Sequence, residues 1–307
     1  MNKSRYLILF LIILTAVGGG WLYVQHRATP QETAIDFVQP TKGENTAIFA
    51  AYSADGIISG YVIDYLKKLK EIAPNIIFIT DNPMPAAEAE KLRPYVVRIE
   101  ARRHGEYDWG SYKRGYNWLK EKGLMTADGG RLILANDSAL AVAPSLLPIL
   151  KAAEESGADV FGITANQDGF YHLQSYFLIF TPRVYTAPEF GAYLNAVKPE
   201  KDGLTVAYRY EVPFTGYLEQ LGFSHASLIP YKELSYLPLN DKNCYPLTML
   251  SKYHTPLLKM RTFTERLNVQ EPRRLVFNWL KKNAPEAYRL LLAHLEKIKS
   301  PYLKEAR

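Results

Sequence analysis

Apolar runs of strand length alternate with helical patterns along the chain from residue 46 onward. The segment 58–72 shows the helical pattern, because its apolar residues recur at intervals of three and four. Regular alternation of the two patterns predicts an α/β fold, in which a mostly parallel sheet is flanked by helices on both faces. The predicted strands are TAIFAAY (46–52), NIIFIT (75–80), YVVRIEA (95–101), RLILAND (131–137) and DVFGIT (159–164).

The alternation changes after residue 165. The apolar run YHLQSYFLIF (171–180) has no crossover helix before it, so we expect an antiparallel or irregular addition to the sheet. Glycine and proline mark several helix ends, for example Pro144 at a start and Gly123 at a stop. The predicted helices cover 58–72, 86–92, 111–123, 144–157, 183–197 and 211–223.

The first 45 residues depart from this pattern. Residues 6–24 carry no charge, and a helix of that length covers the hydrocarbon core of a bilayer, roughly 30 Å. We therefore predict a membrane anchor over 1–27, with a cleaved signal peptide as the alternative. Residues 28–45 are polar, contain two prolines and are predicted to be a linker.

Charge is distributed unevenly and changes the interpretation of the carboxyl-terminal end. Residues 272–307 hold nine Lys or Arg and three acids, which accounts for the whole formal excess of +6. Apolar residues recur there at helical spacing, so residues 266–307 are predicted to form a basic amphipathic helical tail. Such a tail suits an anionic membrane surface, or it docks on the domain with a solvated basic face.

Polar residues follow each of the five predicted strands. Ligands of parallel α/β sheets bind beyond the carboxyl ends of the strands, so this edge is the candidate site. The turn YSADGIISG after the first strand lacks G-x-G-x-x-G, which argues against a dinucleotide-binding oxidoreductase. The polar groups are Tyr52, Ser53 and Asp55; Asp81 and Asn82; His104 to Asp108; Asn136, Asp137 and Ser138; and Asn166 and Asp168.

The turn RRHGEYDWG (102–110) has the residues of a nucleotide-diphosphate cradle. Gly105 lets the backbone approach a ligand closely, and Asp108 can accept hydrogen bonds from sugar hydroxyls or a base edge. Backbone N–H groups at the start of the next helix can receive phosphate oxygens. The alternative is a local one, in which Asp108 or Ser111 caps that helix.

The run Asn136-Asp137-Ser138 ends the fourth predicted strand. A carboxylate at a strand end can hold a divalent ion that bridges a diphosphate. A D-x-D motif would need an acid where Ala135 stands, so Asp137 is the single candidate metal ligand, and an Asx-turn is the alternative. The single cysteine, Cys244, excludes an internal disulfide and a cysteine-based metal cluster.

Several segments, in their order along the chain, resemble the rhamnan synthesis protein F family over residues 46–265. The resemblance implies a nucleotide-sugar transferase of GT-A-like architecture that acts on cell-surface polysaccharide or lipopolysaccharide. It also implies that Asp108 contacts the nucleotide, and that Asn136 and Asp137 meet the diphosphate and a Mg²⁺ or Mn²⁺ ion. The segments are YDWGSYKRG, ANDSALAV, DVFGIT, HLQSYFLIF, EVPFTGYLEQLGF and NCYPLTMLSKYHTPLLKMRTF.

Further roles are assigned to Glu211, His172 and Gln174. Glu211 is the candidate general base if the reaction inverts the anomeric centre, and an acid favoured at a helix N-terminus is its alternative. His172 and Gln174 are candidate acceptor contacts, or else a satisfied buried polar pair. The predicted nucleotide-sugar site comprises Tyr52, Asp81, His104, Gly105, Asp108, Ser111, Asn136 and Asp137.

The expected partners are a nucleotide-sugar donor, a glycan or lipid-linked glycan acceptor and the membrane, with no nucleic acid. The alternative function is a non-catalytic glycan-binding or assembly protein of the same fold. Lys3 and Arg5 favour a cytoplasmic N-terminus, which would place the domain in the periplasm. Nucleotide sugars are made in the cytoplasm, so we expect the domain at the cytoplasmic face of the inner membrane and keep the periplasmic face as the alternative.

Overall fold

The computed structural model describes residues 32–265 and 269–306, which form a mixed α/β structure around an eight-stranded sheet. The strands are β1 (Thr33–Asp36), β2 (Thr46–Ala51), β3 (Asn75–Thr80), β4 (Arg98–Ala101), β5 (Leu132–Asn136), β6 (Ala139–Ala141), β7 (Val160–Gly162), β8 (Ala165–Asn166), β9 (His172–Leu173), β10 (Phe177–Phe180), β11 (His225–Ser227) and β12 (Leu257–Lys259). The helices are α1 (Gly60–Lys70), α2 (Ala86–Leu92), α3 (Tyr107–Glu121), α4 (Leu147–Ser156), α5 (Pro182–Tyr185), α6 (Pro188–Asn195), α7 (Gly203–Val206), α8 (Phe214–Gln220), α9 (Pro246–Ser251), α10 (Arg261–Thr264), α11 (Arg273–Asn283) and α12 (Pro285–Lys297).

The strand order of the large sheet is β1-β4-β3-β2-β5-β10-β7-β11. Strands β4, β3, β2 and β5 pair in parallel, whereas β1 and β10 run antiparallel to their neighbours. Strand β7 therefore runs in the direction of β5, and β11 pairs with it in parallel. The prediction of a mostly parallel sheet flanked by helices is confirmed. The carboxyl ends of β2 to β5 lie at the same edge of this sheet.

Two hydrophobic cores lie on opposite faces of the sheet. In β2, Ala47 and Phe49 belong to the core under α1, and Ile48 and Ala50 to the core under α3, because successive side chains of a strand point to opposite faces. Every residue of β2, β3 and β5 is buried, as expected for central parallel strands covered on both sides. The edge of the sheet is thus held rigidly from both faces.

Three predicted elements need correction. Residues 33–36 were expected in the linker, but they form β1, an edge strand antiparallel to β4. The run 171–180 is two short antiparallel strands rather than one, because β9 pairs with β8 and β10 inserts between β5 and β7. The predicted helix 183–197 is broken into α5 and α6, since residues before a proline are driven out of the helical conformation and Ala187 before Pro188 is extended.

Helix α3 begins four residues before its predicted start at 111. Tyr107 opens it with a φ of 55°, a conformation that is costly for a bulky residue, and Gly105 just before it has a φ of 71°. This tight entry places Asp108 in the first turn of the helix rather than in a preceding loop. The position of Asp108 therefore depends on the strained turn.

The basic tail packs on the domain. Helices α11 and α12 bury Val276, Phe277, Leu280, Leu291 and Leu295 in the same core as α1 and β2. Most of their basic residues are exposed, whereas Arg273 is half-buried and Lys297 contacts Asp55 of the turn before α1. Of the two alternatives for the basic tail, docking on the domain thus describes residues 273–297, and α12 stands beside the candidate site.

No helix within 32–265 and 269–306 has the length and apolarity needed to cross a membrane. The predicted anchor at 1–27 lies outside the described residues.

We predict that Phe277→Ala lowers the free energy of unfolding by about 3–4 kcal/mol, because it empties a buried site packed against Phe263 at 4.9 Å between ring centroids. Leu275→Ala on the same helix is the control, since Leu275 is 40% exposed and Phe277 only 1%. The measurement is the urea unfolding curve of the full chain. Equal curves for Phe277→Ala and wild type would show that the tail is not part of the folding unit.

Candidate functional site

A cavity of about 740 Å³ opens at the carboxyl ends of β2 to β5. Four of the five predicted polar groups contribute to its wall, and Asn166 and Asp168 do not. The opposite wall comes from the end of β12 with α10, and from α12. Its lining includes the polar residues Tyr52, Tyr61, Asp81, Arg103, Tyr107, Asp108, Asn136, Asp137, Ser138, Lys259, Arg261 and His294.

Asp108 and Asp137 share this cavity although 28 residues separate them in sequence. One carboxylate oxygen of Asp108 accepts a hydrogen bond from the Trp109 backbone N–H at 3.0 Å, and the other accepts one from Asn136 Nδ2 at 3.1 Å. Burial, and then the negative charge of Glu211, raise the pKa of Asp108 to about 6. The N-cap residue of α3 is Glu106 and not Asp108, but the bond from the Trp109 N–H lies in the first turn of the helix, so the local alternative is met in part.

Asp137 is fixed from two sides. Its Oδ2 accepts a hydrogen bond from the Tyr52 backbone N–H at 2.9 Å, and its backbone carbonyl accepts one from the Tyr61 hydroxyl at 2.9 Å. Burial raises the pKa of the Asp137 carboxyl to about 7, and the neighbouring Asp108 adds to the rise. Two carboxyl groups that titrate near neutrality are typical of sites that bind cations or transfer protons.

Lys259 stands among these carboxyl groups and was missed from the sequence. Its Nζ donates a hydrogen bond to Ser138 Oγ at 2.7 Å and lies 4.8 Å from the ring centroid of Tyr176. Burial lowers the pKa of Lys259, whereas the charges of Glu211 and Asp108 raise it. The signal was present, because Lys259 ends the TPLLK segment that carries part of the family resemblance.

Asp81, which lines the cavity, holds the turn that follows β4. Asp81 Oδ1 accepts hydrogen bonds from the backbone N–H groups of His104 at 2.6 Å and Gly105 at 2.9 Å. His104 Nδ1 accepts a hydrogen bond from the Glu106 N–H, and Nε2 lies 3.1 Å from Ser111 Oγ. Burial lowers the pKa of His104 to about 4, so the ring is neutral and its Nε2–H donates to Ser111. Asp81 lines the cavity, whereas His104, Gly105 and Ser111 do not.

Glu211, His172 and Gln174 do not line the cavity either. Glu211 ends a π-helical turn, Ala207–Glu211, and its Oε1 accepts a hydrogen bond from the Ser175 N–H at 3.2 Å. His172 is bonded through Nδ1 to the Phe170 carbonyl at 2.8 Å, and Gln174 accepts a hydrogen bond from Thr164 Oγ1 at 2.7 Å. These contacts agree with the satisfied buried pair that the sequence left open.

The carboxylates of the cavity provide part of a site for a metal ion. In the described part of the chain, no three His, Cys, Asp or Glu side chains are grouped to hold one. Mg²⁺ commonly uses one or two carboxylates together with substrate phosphates, so Asp108 and Asp137 fit a site that a bound diphosphate would complete. The structure thus offers a partial ligand set and a lysine beside it.

We predict that Asp137→Asn stabilises the chain at pH 8 by about 1–3 kcal/mol. The amide keeps the acceptor for the Tyr52 N–H and removes a desolvated charge. Because the folded-state pKa is raised from 3.8 to about 7, the protonated carboxyl supports folding below pH 4, and this support is lost as pH rises through 7. Thermal unfolding should show a difference between variant and wild type that grows from pH 4 to pH 8.

Asp168→Asn is the matched control, because Asp168 is exposed. A difference for Asp137→Asn that stays constant across this pH range would contradict the raised pKa.

The chain has a distant relative among proteins of known sequence. A protein of Sinorhizobium fredii (strain NBRC 101917 / NGR234), "Uncharacterized protein y4gN", is 23% identical over 275 residues, which cover 85% of this chain and 70% of that protein.

Similar solved structures have low TM-scores and identities. A putative nucleotide-diphospho-sugar transferase from Desulfovibrio desulfuricans G20 has a TM-score of 0.42 and 12% identity, covering 87% of this chain and 99% of that one. A cytidylyltransferase from Leptospira borgpetersenii has a TM-score of 0.42 and 11% identity, covering 83% and 95%. Core-mannan synthase A from Aspergillus fumigatus, in its Mn/GDP form, has a TM-score of 0.32 and 9% identity, covering 52% and 66%. Similarity at this level carries no assignment of activity.

The family model of Rhamnan synthesis protein F matches residues 76–305. The match covers most of the chain and includes α11 and α12, beyond the range 46–265 over which the segments resembled the family. The chain therefore belongs to the Rhamnan synthesis protein F family.

Proposed function

We propose that this chain is a glycosyltransferase that moves a sugar from a nucleotide-sugar donor to a cell-surface polysaccharide or lipopolysaccharide acceptor. Membership of a family named for rhamnan synthesis supports a sugar-transferring role. The observation that carries the proposal is the 740 Å³ cavity, in which Asp108, Asp137 and Lys259 come together at the carboxyl edge of the sheet. A GT-A-like donor site at this edge is part of the proposal.

The cavity has groups for each part of a nucleotide diphosphate. Tyr52 is 56% exposed, and the Arg103 guanidinium lies 5.8 Å from its ring centroid, so the two offer a flat cationic surface for a base. Asp81 and Asp108 can accept hydrogen bonds from ribose or base. Lys259 and Arg261 supply positive charge for phosphate oxygens.

A Mg²⁺ or Mn²⁺ ion is included in the proposal. Asp137, with Asp108 beside it, would hold the ion together with diphosphate oxygens. The ion would supply further positive charge at the diphosphate.

The chemical step is cleavage of the bond between the anomeric carbon and the diphosphate. Negative charge grows on the leaving oxygen, and Lys259 is already in place among buried groups to stabilise it. Burial lowers the pKa of Lys259, and the negative charges of Glu211 and Asp108 oppose this change.

We predict that Asp108→Asn and Lys259→Met each lower sugar transfer by about 100-fold or more, because the first removes a carboxylate assigned to the donor and the second removes the positive charge assigned to the leaving diphosphate. The assay is transfer and donor hydrolysis by the full chain in detergent with a panel of nucleotide sugars, with EDTA and with added Mg²⁺ or Mn²⁺. Calorimetric titration with UDP, GDP and dTDP measures binding separately.

Asp128→Asn is the control, because Asp128 is exposed and precedes β5, at the opposite edge of the sheet. Full activity in both site variants would refute the assigned site. A wild-type chain that binds a glycan but no nucleoside diphosphate would favour the non-catalytic alternative.

Membrane attachment and orientation belong to the same proposal. We propose that residues 1–27 anchor the chain and that the domain faces the cytoplasm, because the proposed donor is found there. A reporter that is active only in the cytoplasm, fused after residue 307, should be active, and a periplasm-only reporter should be silent. The reverse result would contradict this orientation and favour a non-catalytic glycan-binding role.

A further inference from the structure

A second cavity, of about 350 Å³, adjoins the first. Six residues line both cavities: Ala51, Tyr52, Tyr61, Asp137, His294 and Ile298. The second is otherwise enclosed by the turn 53–59 on one side and by α12 on the other. A ligand in the second cavity would therefore meet one in the first at these shared residues.

The two cavities differ in the number of cationic side chains in their walls. The first has Arg103, Lys259 and Arg261, of which Arg103 is paired with Asp81 at 3.1 Å and Arg261 with Asp241 at 3.1 Å. In the second, the single Lys or Arg among the described lining residues is Lys297, which is paired with Asp55 at 3.0 Å and donates a hydrogen bond to the Ile57 carbonyl at 2.7 Å. The first cavity thus has more positive groups that can meet phosphate oxygens, and the second suits a ligand without net charge.

The lining of the second cavity mixes hydroxyl and aliphatic groups. Ser53 and Ser59 stand beside Ile57, Ile58 and Ile298. Sugar rings have hydroxyl edges and apolar C–H faces, and a wall of this kind can contact both. A neutral glycan is therefore the class of ligand that fits.

His294 stands at the junction of the two cavities. Its Nδ1 lies 2.9 Å from Ser59 Oγ, and its ring packs edge-on against Tyr61 at 4.9 Å between centroids. These contacts fix the orientation of the imidazole. Among residues 32–265 and 269–306, no hydrogen bond engages its Nε2, so this nitrogen is available to a ligand.

The charged groups around His294 come from three elements. Lys297 lies on its own helix, Asp55 on the facing turn, and Asp137 at the end of β5. Burial lowers the pKa of His294, the charge of Lys297 lowers it further, and Asp55 opposes them. The imidazole is therefore neutral at pH 7 and can accept a proton.

We propose that the second cavity binds the acceptor glycan and that His294 is the general base, which rests on the proposed sugar transfer. The acceptor oxygen forms a bond to the anomeric carbon while its proton passes to His294 Nε2. The bond from the anomeric carbon to the diphosphate breaks, and its electron pair leaves with the nucleoside diphosphate. The imidazolium then returns its proton to solvent. Glu211, the base predicted from the sequence, is held by the Ser175 N–H and lies outside both cavity walls.

The first experiment compares His294→Gln, Glu211→Gln and Arg289→Gln in the full chain. Arg289 is the control, being an exposed residue of the same helix. His294→Gln should lower kcat for transfer at least 100-fold and leave the Kd for nucleoside diphosphates within twofold of wild type. Wild-type transfer should fall as pH drops below the lowered pKa of His294, and His294→Gln should lack this component. Asp108 and Asp137 titrate in both proteins, so the difference between the two profiles isolates His294.

Retention of transfer by His294→Gln, or loss of the same pH component in Glu211→Gln instead, would overturn the role of His294.

The second experiment tests the acceptor cavity without relying on catalysis. Calorimetry with a rhamnose trisaccharide should show binding that Ala54→Trp weakens at least tenfold, because Ala54 lines only the second cavity and tryptophan fills it. Binding of nucleoside diphosphates should not change in this variant. If the wild-type chain does not bind the trisaccharide, or if Ala54→Trp binds it equally well, the acceptor role of the second cavity is wrong and the donor site is unaffected. If the wild-type chain binds no nucleoside diphosphate, the proposed donor site is wrong.

Discussion

The charge balance around Lys259 is the interaction on which the candidate site depends. The half-buried Lys259 ammonium is influenced by the charges of Asp108 and Glu211, and the Asp137 carboxyl lies in the same wall. Separately, each of these charges would be expensive to bury; together they compensate one another only in part, so the pKa values of both aspartates remain raised. The raised pKa values show that this wall disfavours additional negative charge, so the proposed donor would have to bring a cation with its diphosphate.

Packing and chemistry are linked through the carboxyl-terminal helices. Helix α12 is held in place by Leu290, Leu291 and Leu295, which are buried in the core on one face of the sheet. Gly60 at the start of α1 permits this approach, because an added Cβ would come within 2.9 Å of Leu290. The same helix presents His294 to both cavities. The basic segment is consequently part of the site wall, and most of its described Lys and Arg residues are exposed.

Much of the fold and part of the site followed from local patterns. The buried strands were predictable because central parallel strands are apolar on both faces, and the rule on carboxyl ends brought Asp81, Asp108 and Asp137 to one cavity. The rule failed for Asn166 and Asp168, since β10 inserts between β5 and β7 and moves that strand end away. The rule also did not predict that His104 and Ser111 bond each other and do not line the cavity.

The sequence by itself determined the α/β alternation, the edge of the sheet that carries the polar turns, and the family, because periodicity and strand-end chemistry are local properties. Tertiary structure decided which distant residues join that edge. Lys259 and His294 follow the last predicted strand, 171–180, by more than 75 residues, and no spacing rule relates them to Asp108. Their place is set by the antiparallel pairing of β12 with β6 and by the apolar face of α12, and both are contacts between segments remote in sequence.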